Sequence, residues 1–557
     1  MPLHIGRYFN EGSTLNLPLL AAARKLVWYG PGDHTVNSEP TLQGVLERAC
    51  EKYASNPLIT VGETTVKYGE AWRCAGQLAD ALANAGVEPG DRVGLLSSNR
   101  VEYVIADLAC VRGGFVKVAL NDMLSDEEIR HIVTDSGATA VVVEDEFLET
   151  IQSIRTDNDV LEQIVGITSN PPDDIISFDD CLAKGESNSV DANVTSDDLS
   201  MFQYTGGTTG KPKGAKHTQF GLAMDLHAHV IELEIGHEEQ MLLTTPLPHS
   251  AGYAFLAGML RGAHVVVTDG FDPGEFLELV ETDAITWTWM VPTMLYRILD
   301  HDQLSETDVS SLETLVYGAA PITRERLEEG LEAFGQVFIQ LYGQSEIPNI
   351  GTTLQKADHD LGAGESLESC GRAATMVDVR IAPLDAKSST DPVPIGEEGE
   401  ILLRAPYAMV GYHKLPDATE QTIVDGWIRT GDVGKKDENG YVYILDRDKD
   451  VIVSGGMNVY TTTVEDALDA HDGVAEVAVI GIPHDDWGES VHAVIVPAEP
   501  HALTEDEILS FADEALADYK KPKSVEFVEK LPTTPYGKVD KKELREPYWK
   551  EADRNVA

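Results

Sequence analysis

Short apolar runs that end in glycine turns alternate with helical patterns along most of the chain, and this alternation restricts the fold more than any other feature. The runs VVVTDG (residues 265–270) and VFIQLYG (residues 337–343) are typical of buried strands that open into turns. Residues 41–53 predict a capped helix with four residues at helical spacing: Leu42, Val45, Leu46 and Cys50. Strands that alternate with helices indicate α/β layers around parallel sheet, and such sheets bind ligands beyond the carboxyl ends of their strands.

The end of the chain has a different pattern. Residues 474–483 and 489–499 alternate apolar and polar residues, and residues 503–519 predict an amphipathic helix with Thr504 and Glu507 as a capping box. A charged and then glycine-rich junction, LDRDKDVIVSGG, precedes them at residues 445–456. Because 557 residues are many for one domain, we predict a large layered α/β domain over residues 1–445 and a small α+β domain over residues 446–557.

The composition is strongly acidic. The chain has 42 Lys and Arg residues against 94 Asp and Glu residues, a formal net charge of −52. Such a field repels nucleic acid and anionic membranes, so we expect neither as a partner. A hydrophobic content of 42% argues against a disordered acidic chain. We therefore interpret the charge as the solvated surface of a halophilic protein, in which concentrated salt screens repulsion between like charges.

The cysteines and the N-terminus restrict the cellular compartment. No cysteine lies in a CxxC pair, and the five are far apart: Cys50, Cys74, Cys110, Cys181 and Cys370. This spacing predicts neither a disulfide framework nor a zinc site, and it favours a reducing, cytoplasmic compartment. The N-terminal residues MPLHIGRYFNEG lack the pattern of a signal peptide, and no apolar run is long enough for a transmembrane segment.

The stretch YTGGTTGKPKGAKHT, residues 204–218, is the clearest signal for a binding site, because it is basic in an acidic chain. It departs twice from the P-loop pattern, since Thr205 occupies the position of the first glycine and Pro212 follows Lys211. Glycines still allow consecutive backbone N–H groups to turn toward an anion, and hydroxyls and lysines add donors. We interpret the stretch as a polyphosphate-binding loop; a flexible surface loop is the alternative.

Seven segments resemble, in order, the motifs of the adenylate-forming (AMP-binding) enzymes, a superfamily of acyl-CoA synthetases, luciferases and carrier-protein adenylation domains. The segments are YTGGTTGKPKGAKHT, VYGAAPIT (316–323), YGQSE (342–346), GEEGEILLRAP (396–406), GWIRTGD (426–432), LDRDKDVIVSGGMNVY (445–460) and LPTTPYGKVDKKELR (531–545). The resemblance covers roughly residues 41–545. It implies formation of an acyl-adenylate from a carboxylate and ATP with Mg²⁺, followed by transfer of the acyl group to coenzyme A.

The resemblance also implies roles for single residues in nucleotide binding. The β- and γ-phosphates would be held by Thr205, Gly206, Gly207, Thr208, Thr209, Gly210 and Lys211. The adenine side would be formed by the turn and the motif that contain Gly318, Ala319, Ala320, Tyr342, Gly343 and Gln344, although a core role for Tyr342 stays open. Asp432 would accept hydrogen bonds from both ribose hydroxyls, which suits a carboxylate with two acceptor oxygens, and Arg447 would reach the same region.

The catalytic set implied by the resemblance is Lys538, Glu346, Ser345 and Thr205. Glu346 would help to hold Mg²⁺, a cation that prefers oxygen ligands; a carboxylate at a helix start is the alternative. Ser345 stands where the family has threonine more often, and its hydroxyl would contact the α-phosphate. Lys538 would bridge the attacking carboxylate and the α-phosphate, because a flexible ammonium offsets charge on both.

Other positions concern the second half-reaction. Lys449 lies at the family's hinge, about which the small domain would swing between half-reactions. Gly455 and Gly456 would line the pantetheine tunnel, and a plain hairpin turn is their alternative role. The segment GGMNVYTTTVED departs from the family pattern at Met457, Thr461 and Thr463, which leaves the thiol acceptor less well defined than the adenylation step.

The acyl pocket is predicted around His249, which matches the family's gating position; a buried core histidine is the alternative. Apolar neighbours, namely Tyr253, Phe255, Gly258 and residues 287–295, favour a fatty or aromatic acid. We predict an acyl-CoA synthetase for medium- or long-chain fatty acids. An aryl-CoA ligase of the coumarate or benzoate type, a free-standing adenylation enzyme for a carrier protein, a luciferase-like oxidation and a non-catalytic nucleotide sensor are the alternatives. The oligomeric state stays open, with a homodimer among the options.

Overall fold

The computed structural model describes most of the chain from Pro40 onward. The described ranges are 40–168, 170–187, 192–205, 211–320, 322–362, 364–384, 388–447, 449–454, 457–484, 487–498, 503–533 and 539–549. Within these ranges the strands are β1 (Pro57–Val61), β2 (Thr64–Lys67), β3 (Arg92–Leu96), β4 (Val116–Leu120), β5 (Ala140–Glu144), β6 (Gln163–Ile167), β7 (Ile176–Ser177), β8 (Leu199–Tyr204), β9 (Gly214–Thr218), β10 (Gln240–Leu243), β11 (His264–Val267), β12 (Trp287–Met290), β13 (Thr314–Gly318), β14 (Phe338–Gln344), β15 (Ile347–Leu354), β16 (Arg372–Ala373), β17 (Asp378–Ala382), β18 (Gly399–Arg404), β19 (Ile423–Val424), β20 (Trp427–Lys436), β21 (Val442–Arg447), β22 (Ile452–Ser454), β23 (Met457–Val459), β24 (Val474–His484), β25 (Gly488–Pro497) and β26 (Ser524–Phe527).

Helices fall between most of these strands. They are α1 (Leu42–Lys52), α2 (Tyr68–Asn84), α3 (Val101–Gly113), α4 (Asp126–Ser136), α5 (Leu148–Asp157), α6 (Phe178–Lys184), α7 (Gln219–Glu232), α8 (Ser250–Met259), α9 (Pro273–Thr282), α10 (Pro292–Leu299), α11 (Arg324–Phe334), α12 (Pro416–Thr422), α13 (Thr461–Asp469), α14 (Glu505–Ala515) and α15 (Lys541–Trp549). Short 3-10 turns lie at Asp145–Phe147, Asp302–Ser305, Lys356–Asp358 and Gly364–Glu368.

Two mostly parallel sheets form the large part of the molecule. One has nine strands in the order β16-β15-β14-β13-β12-β10-β11-β1-β2 and is parallel from β14 to β1. The other has seven strands in the order β7-β6-β5-β3-β4-β8-β9 and is parallel from β7 to β8. Parallel neighbours need a crossover connection, which the alternating helices supply. The predicted α/β class is therefore confirmed.

The largest hydrophobic core lies between the two parallel sheets. Helices α1, α2, α3, α7 and α8 contribute to it together with strands from both sheets, and Trp287 and Tyr68 are among its fully buried side chains. Helices α4 and α5 cover the outer face of the seven-stranded sheet, and α9, α10 and α11 cover that of the nine-stranded sheet. Burial on both faces explains why the strands are continuous apolar runs.

Two smaller sheets follow in the chain. Strands β17, β18, β19, β20 and β21 form one, and β22 to β26 form the other, which packs against α13 and α14. The chain passes from the first to the second between Arg447 and Ile452. The second sheet and its helices are the small α+β unit that the sequence predicts. The boundary at residues 445 and 446 stays a prediction.

Local predictions agree with the structure, with one difference. Thr41 caps α1 by accepting a hydrogen bond from the Gly44 backbone N–H, and Thr504 with Glu507 forms the capping box of α14. The predicted strand opens into a turn, but β14 runs one residue beyond Gly343, to Gln344, before the turn at Ser345 and Glu346. Strand β15 returns antiparallel beside β14 and pairs Ile347 with Gln344, which extends the ladder.

The five cysteines are all free and buried. Burial raises the pKa of the Cys181 thiol to about 11 and that of Cys50 and Cys370 to about 12. No helix in the described ranges combines the length and the apolar character that crossing a bilayer requires.

Candidate active site

The Asp432 carboxylate lies at the centre of a cluster that joins the nine-stranded sheet to the sheet of β17–β21. The Tyr342 hydroxyl donates a hydrogen bond to Asp432 Oδ2 over 2.5 Å, and Gln344 Nε2 donates to the same oxygen over 2.6 Å. Arg447 Nε lies 2.7 Å from Oδ1, and the two residues are direct partners in the β20–β21 ladder. The structure therefore brings together four residues that the sequence assigns to adenine and ribose binding.

The electrostatics of this cluster keep Tyr342 as a donor. Burial and the neighbouring Asp432 carboxylate raise the pKa of the Tyr342 phenol well above its ordinary value. Asp432 itself is buried, with 3% of its surface exposed. A carboxylate offers about four lone-pair positions, and these three contacts occupy three of them. The sequence names these residues separately but does not predict that they share one carboxylate.

A hairpin neck holds the predicted phosphate loop between β8 and β9. The Thr205 backbone N–H donates to the Lys213 carbonyl over 3.0 Å, and the Lys213 N–H donates to Thr205 Oγ1 over 3.3 Å. Helix α4 fixes the neck, because His131 Nε2 bonds to the Pro212 carbonyl at 3.0 Å and the Tyr204 hydroxyl donates to Asp135 at 2.8 Å. Lys211 is exposed at the end of the loop.

Several predicted loop and lid residues lie outside the described residues. They are Gly206, Gly207, Thr208, Thr209 and Gly210 of the phosphate loop, Gly455 and Gly456 of the predicted tunnel, and Lys538. Their roles stay predictions. Lys449 is described and exposed, and its carbonyl accepts a hydrogen bond from Arg545.

Glu346 and Ser345 form the tight turn between β14 and β15. The Tyr412 hydroxyl donates to the Glu346 carboxylate, and Lys213 Nζ lies 4.7 Å from the centre of the Tyr412 ring. Burial and the Glu346 carboxylate raise the pKa of Tyr412, so this phenol stays protonated. A line of contacts thus connects the turn to the neck of the phosphate loop. Sequence reasoning missed Tyr412, which no spacing signal connects to Glu346.

The turn is also fixed from beneath by a histidine that the sequence did not identify. His217 Nε2 donates to the Ser345 carbonyl over 2.9 Å. His217 is 1% exposed, and burial lowers its pKa to about 4. The imidazole is therefore neutral at physiological pH and acts as a fixed hydrogen-bond donor. Glu346 is thus a turn carboxylate and not the helix-start carboxylate considered as its alternative.

Close packing explains the glycine of the second predicted nucleotide turn. A Cβ at Gly318, the last residue of β13, would lie 2.5 Å from the Leu341 carbonyl oxygen of β14. The next residue, Ala319, has a φ of 66°, a left-handed conformation that costs an L-residue about 1–3 kcal/mol. Ala319 is exposed and Ala320 half-buried. Strained backbone beside the strand that carries Tyr342 is consistent with a binding turn.

His249 lies immediately before α8, where its Nε2 contacts Asn121 Nδ2 at 2.9 Å. It lines a small cavity of about 20 Å³. The cavity is lined by Leu42, Asp107, Cys110, Val111, Lys117, Ser200, Met201, Gln203, Leu222, Leu226, Leu247, Pro248, His249, Gly252, Tyr253 and Leu256. Of the predicted apolar neighbours only Tyr253 contacts this cavity; Phe255, Gly258 and residues 287–295 do not line it. The charged pair in its wall was not predicted.

A buried contact ties the end of β21 to α13. The Thr461 N–H and Oγ1 donate to Asp446 Oδ2 over 2.5 and 2.9 Å, and Lys541 Nζ donates to Thr461 Oγ1 over 2.6 Å. Burial raises the pKa of Asp446 to about 6. Thr461 is one of the departures from the family pattern. The family pattern that the sequence resembles has proline at this position, and proline has no N–H and could not make the first of these bonds.

In the described residues, no group of three or more His, Cys, Asp or Glu side chains is arranged as a metal site. Glu346 is a single half-buried carboxylate. This donor set fits a magnesium ion that takes most of its ligands from nucleotide phosphates and water, as Mg²⁺ commonly does.

Comparisons with known proteins agree with this arrangement. The profile of the AMP-binding enzyme family matches residues 46–413, and that of the AMP-binding enzyme C-terminal domain matches residues 463–538. The chain is 36% identical over 533 residues to the medium/long-chain-fatty-acid–CoA ligase FadD8 of Mycobacterium tuberculosis (strain ATCC 25618 / H37Rv), covering 93% of this chain and 92% of that protein. It is 37% identical over 486 residues to a feruloyl-CoA synthase of an Amycolatopsis species, covering 87% and 94%.

Among solved structures, ATP-bound MatB from Rhodopseudomonas palustris superposes with a TM-score of 0.81 at 30% identity. The match covers 92% of this chain and 100% of that chain. The chain therefore belongs to the AMP-binding enzyme family, and its enzyme class is that of the AMP-forming acid–thiol ligases.

Proposed function

We propose that this chain is an ATP-dependent acyl-CoA synthetase. It converts a carboxylate and ATP into an acyl-adenylate and pyrophosphate, and then transfers the acyl group to coenzyme A with release of AMP. The observation that carries the proposal is the continuous line of contacts from Asp432 through the Gln344–Glu346 segment and Tyr412 to Lys213. Ribose, α-phosphate and terminal phosphates are arranged in this order in a nucleotide.

Each part of this line has a proposed role in adenylation. Asp432 accepts from both ribose hydroxyls, one at its open lone pair and one in place of a donor that now occupies it. Ser345 contacts the α-phosphate, and the loop from Thr205 to Lys211 holds the β- and γ-phosphates. Glu346 would help to hold magnesium, which when bound would supply positive charge to the phosphates. The attack brings together two anions, the carboxylate and the α-phosphate. Preorganised donors and cations therefore contribute most where negative charge develops in the transition state.

Lys538 is the proposed catalytic residue of this step. Its ammonium would contact both the attacking carboxylate and the α-phosphate, and one cation close to two anions lowers their repulsion. It belongs to the small domain, which we propose extends over residues 446–557. That domain would turn about Lys449 after adenylation, so that Gly455 and Gly456 border the path of the thiol.

For the acid, we propose a medium- or long-chain fatty acid, with an aryl acid of the coumarate or benzoate type as the second candidate. The nearly equal identity to a fatty-acid–CoA ligase and a feruloyl-CoA synthase favours keeping both. A third candidate differs in the acyl acceptor, which would be a carrier protein in place of coenzyme A. It is kept because the altered segment around Thr461 belongs to the transfer step. The sequence keeps the residue types of the predicted catalytic and nucleotide-binding set, Glu346, Asp432 and Lys538, and this argues against a non-catalytic nucleotide sensor. We propose a cytoplasmic location from the free cysteines.

The test is a measurement of AMP release from ATP and Mg²⁺ with a panel of carboxylic acids, in concentrated salt, with and without coenzyme A. Stoichiometric AMP and acyl-CoA for one class of acid would support the synthetase and identify its substrate. Pyrophosphate release that stops after about one turnover and does not respond to coenzyme A would leave adenylation but point to another acceptor. Nucleotide binding without AMP from any acid would overturn the proposal.

A further inference from the structure

The cavity beside His249 is not uniformly apolar, although it lies where an acyl chain is expected. Its wall includes an ion pair, Lys117 Nζ with Asp107 Oδ2 at 2.7 Å, whose side chains are only 10% and 9% exposed. It also includes the amide of Gln203, which is 5% exposed. Removing two charges from water is costly, and an apolar pair of similar volume often serves stability as well or better. The pair therefore calls for a reason beyond packing.

Sheet register places these groups on one face. Lys117 on β4 is the direct partner of Met201 on β8, and Gln203 follows Met201 by two residues. Paired residues and residues two apart project from the same face of a sheet. Asp107 comes from α3, which covers that face. Two strands and a helix thus carry the three polar groups to one small space.

The hydrogen bonds in this space are incomplete. An ammonium has three donors, and Asp107 is the hydrogen-bond acceptor that the described residues give to Lys117. Gln203 Nε2 makes a long 3.5 Å contact with the Pro248 carbonyl, and Gln203 Oε1 is buried without a partner among the described residues. Buried polar atoms are nearly always satisfied, so a donor and an acceptor left open at one cavity need an explanation.

We propose that this cavity binds a hydroxyl group carried by the substrate's acyl chain, away from its carboxylate. The inference rests on the proposed acyl-CoA synthetase function. A hydroxyl donates once and accepts twice, so it can donate to Gln203 Oε1 and accept from Lys117 Nζ. The cavity volume of about 20 Å³ fits one group of the size of a water molecule.

Other chain ends match these groups less well. A methyl end would leave both open groups unsatisfied. A keto oxygen has no proton to donate, so it would satisfy Lys117 and leave Gln203 Oε1 open. A second carboxylate would face the negative charge of Asp107. The acid class that fits is therefore a hydroxy acid, either an aliphatic chain with a hydroxyl near its end or an aryl acid with a phenolic hydroxyl.

The first experiment uses the unmodified enzyme and matched sets of acids. For straight chains from hexanoate to dodecanoate, kcat/KM is measured for the plain acid, the terminal hydroxy acid and the methyl ketone of the same length; 3-phenylpropanoate and its 4-hydroxy derivative form an aryl pair. We expect the hydroxy acid to exceed its plain partner by at least about tenfold in one set, because a site that hydrogen-bonds a hydroxyl rejects the analogue without it. Equal or better use of the plain acid in every set would overturn the inference.

The second experiment changes the cavity wall. Gln203→Leu and the double variant Asp107→Leu with Lys117→Met remove the open groups, and the double variant leaves no single charge buried. We expect the ratio of kcat/KM for hydroxy and plain acid to fall by at least about tenfold in both. Leu226→Ala, an apolar wall position, is the control and should change the two acids of a pair alike.

The ratio is independent of the fraction of active protein, so a poorly folding variant still gives a result. An unchanged ratio in both variants would mean that the cavity holds a structural water and would overturn the inference. The two proposals fail differently. If no acid releases AMP, the synthetase function fails, whereas AMP and acyl-CoA formed without a preference for hydroxy acids would overturn only the hydroxyl site.

Discussion

Among the predicted site residues that the structure describes, Asp432 collects three side-chain contacts on one carboxylate. Its two oxygens receive Tyr342, Gln344 and Arg447, and the carboxylate is buried between two sheets. A bound ribose would share this carboxylate with donors that already orient it. If Asp432 binds ribose as proposed, its carboxylate is already held in position, which would lower the entropic cost of binding.

Asp432→Asn should weaken ATP binding by about tenfold or more. The exchange removes the negative charge that strengthens these hydrogen bonds. A hydrogen bond to a charged group contributes about 1.5–3 kcal/mol. A loss of about 1.4 kcal/mol corresponds to a factor of ten in affinity. Titration calorimetry with ATP measures the change. Asp378→Asn is the control, since Asp378 forms an exposed ion pair with Arg404 at 2.6 Å in the same sheet. Equal ATP affinity in the two variants would contradict the assignment.

Lys538→Ala should separate the two half-reactions. We expect AMP formation from acid and ATP to fall by about 100-fold or more, as for the loss of a group that stabilises transition-state charge. Acyl-CoA formation from a synthetic acyl-adenylate should change by less than about tenfold, because the lysine acts before that step. Lys542→Ala, on the exposed face of α15, controls for the loss of one positive charge. A similar fall in both half-reactions would count against Lys538.

The site residues that the sequence predicts stand in short motifs, whereas those it does not predict lie far from them along the chain. Asp432, Glu346 and Tyr342 stand in short motifs, so their types and spacing were readable from the sequence. Tyr412 and His217 support Glu346 and Ser345 from positions 66 and 128 residues away. Such contacts depend on how sheets meet, and no local pattern records them. The polar wall of the cavity beside His249 was missed for the same reason.

At the scale of elements, sequence predicted the existence of helices and strands better than their ends. The caps of α1 and α14 were readable because each uses a local side chain with a fixed spacing. The end of β14 was not, since the strand is extended by pairing with β15 after a turn. Helix α13 shows a further limit. The contact of its first residue, Thr461, with Asp446 explains the residue type at this position, whereas helix propensity does not.

Thr461→Pro tests this explanation. Proline is favoured at the first position of a helix, so propensity alone predicts a neutral or stabilising change. The structure predicts destabilisation by about 1–3 kcal/mol, because the buried Asp446 carboxylate loses the N–H and hydroxyl donors of Thr461. The melting temperature by calorimetry is the measurement. Thr461→Ser keeps both donors and should differ little from the unmodified chain.

The loss of stability caused by Thr461→Pro should depend on pH. The pKa of Asp446 is raised to about 6 in the folded protein, so the carboxyl is largely protonated at pH 5 and needs fewer donors. It is ionised above pH 6, where the lost donors matter most. The stability difference between Thr461→Pro and the unmodified chain should therefore grow as the pH rises from 5 to 8. A difference that is constant over this range would exclude Asp446 as its cause.

At the scale of the whole molecule, the net charge predicts how stability should depend on salt. A charge of −52 on 557 residues repels itself in dilute buffer. The Debye length falls from about 10 Å at 0.1 M salt to about 3 Å at 1 M. This charge is readable from composition alone, and a salt-rich environment for the chain stays a prediction.

We expect the melting temperature to rise by several degrees between dilute buffer and molar KCl, with loss of far-UV circular dichroism at very low salt. The reason is screening of like charges that the folded state holds close together. Sucrose at equal osmolality is the control, because it stabilises by exclusion without screening charge. Identical spectra and melting temperatures at low and high salt would show that the acidic surface does not limit folding.

The buried cysteines have a consequence for how the protein can be observed at work. Thiol-directed dyes and spin labels react with an accessible thiolate, and all five native thiols are covered, with the pKa of Cys370 raised to about 12. The natural chain is thus a silent background for site-directed labelling. One new cysteine on the exposed face of α14 and one on α4 would accept a donor–acceptor dye pair, and energy transfer between them would test the proposed turn of the small domain.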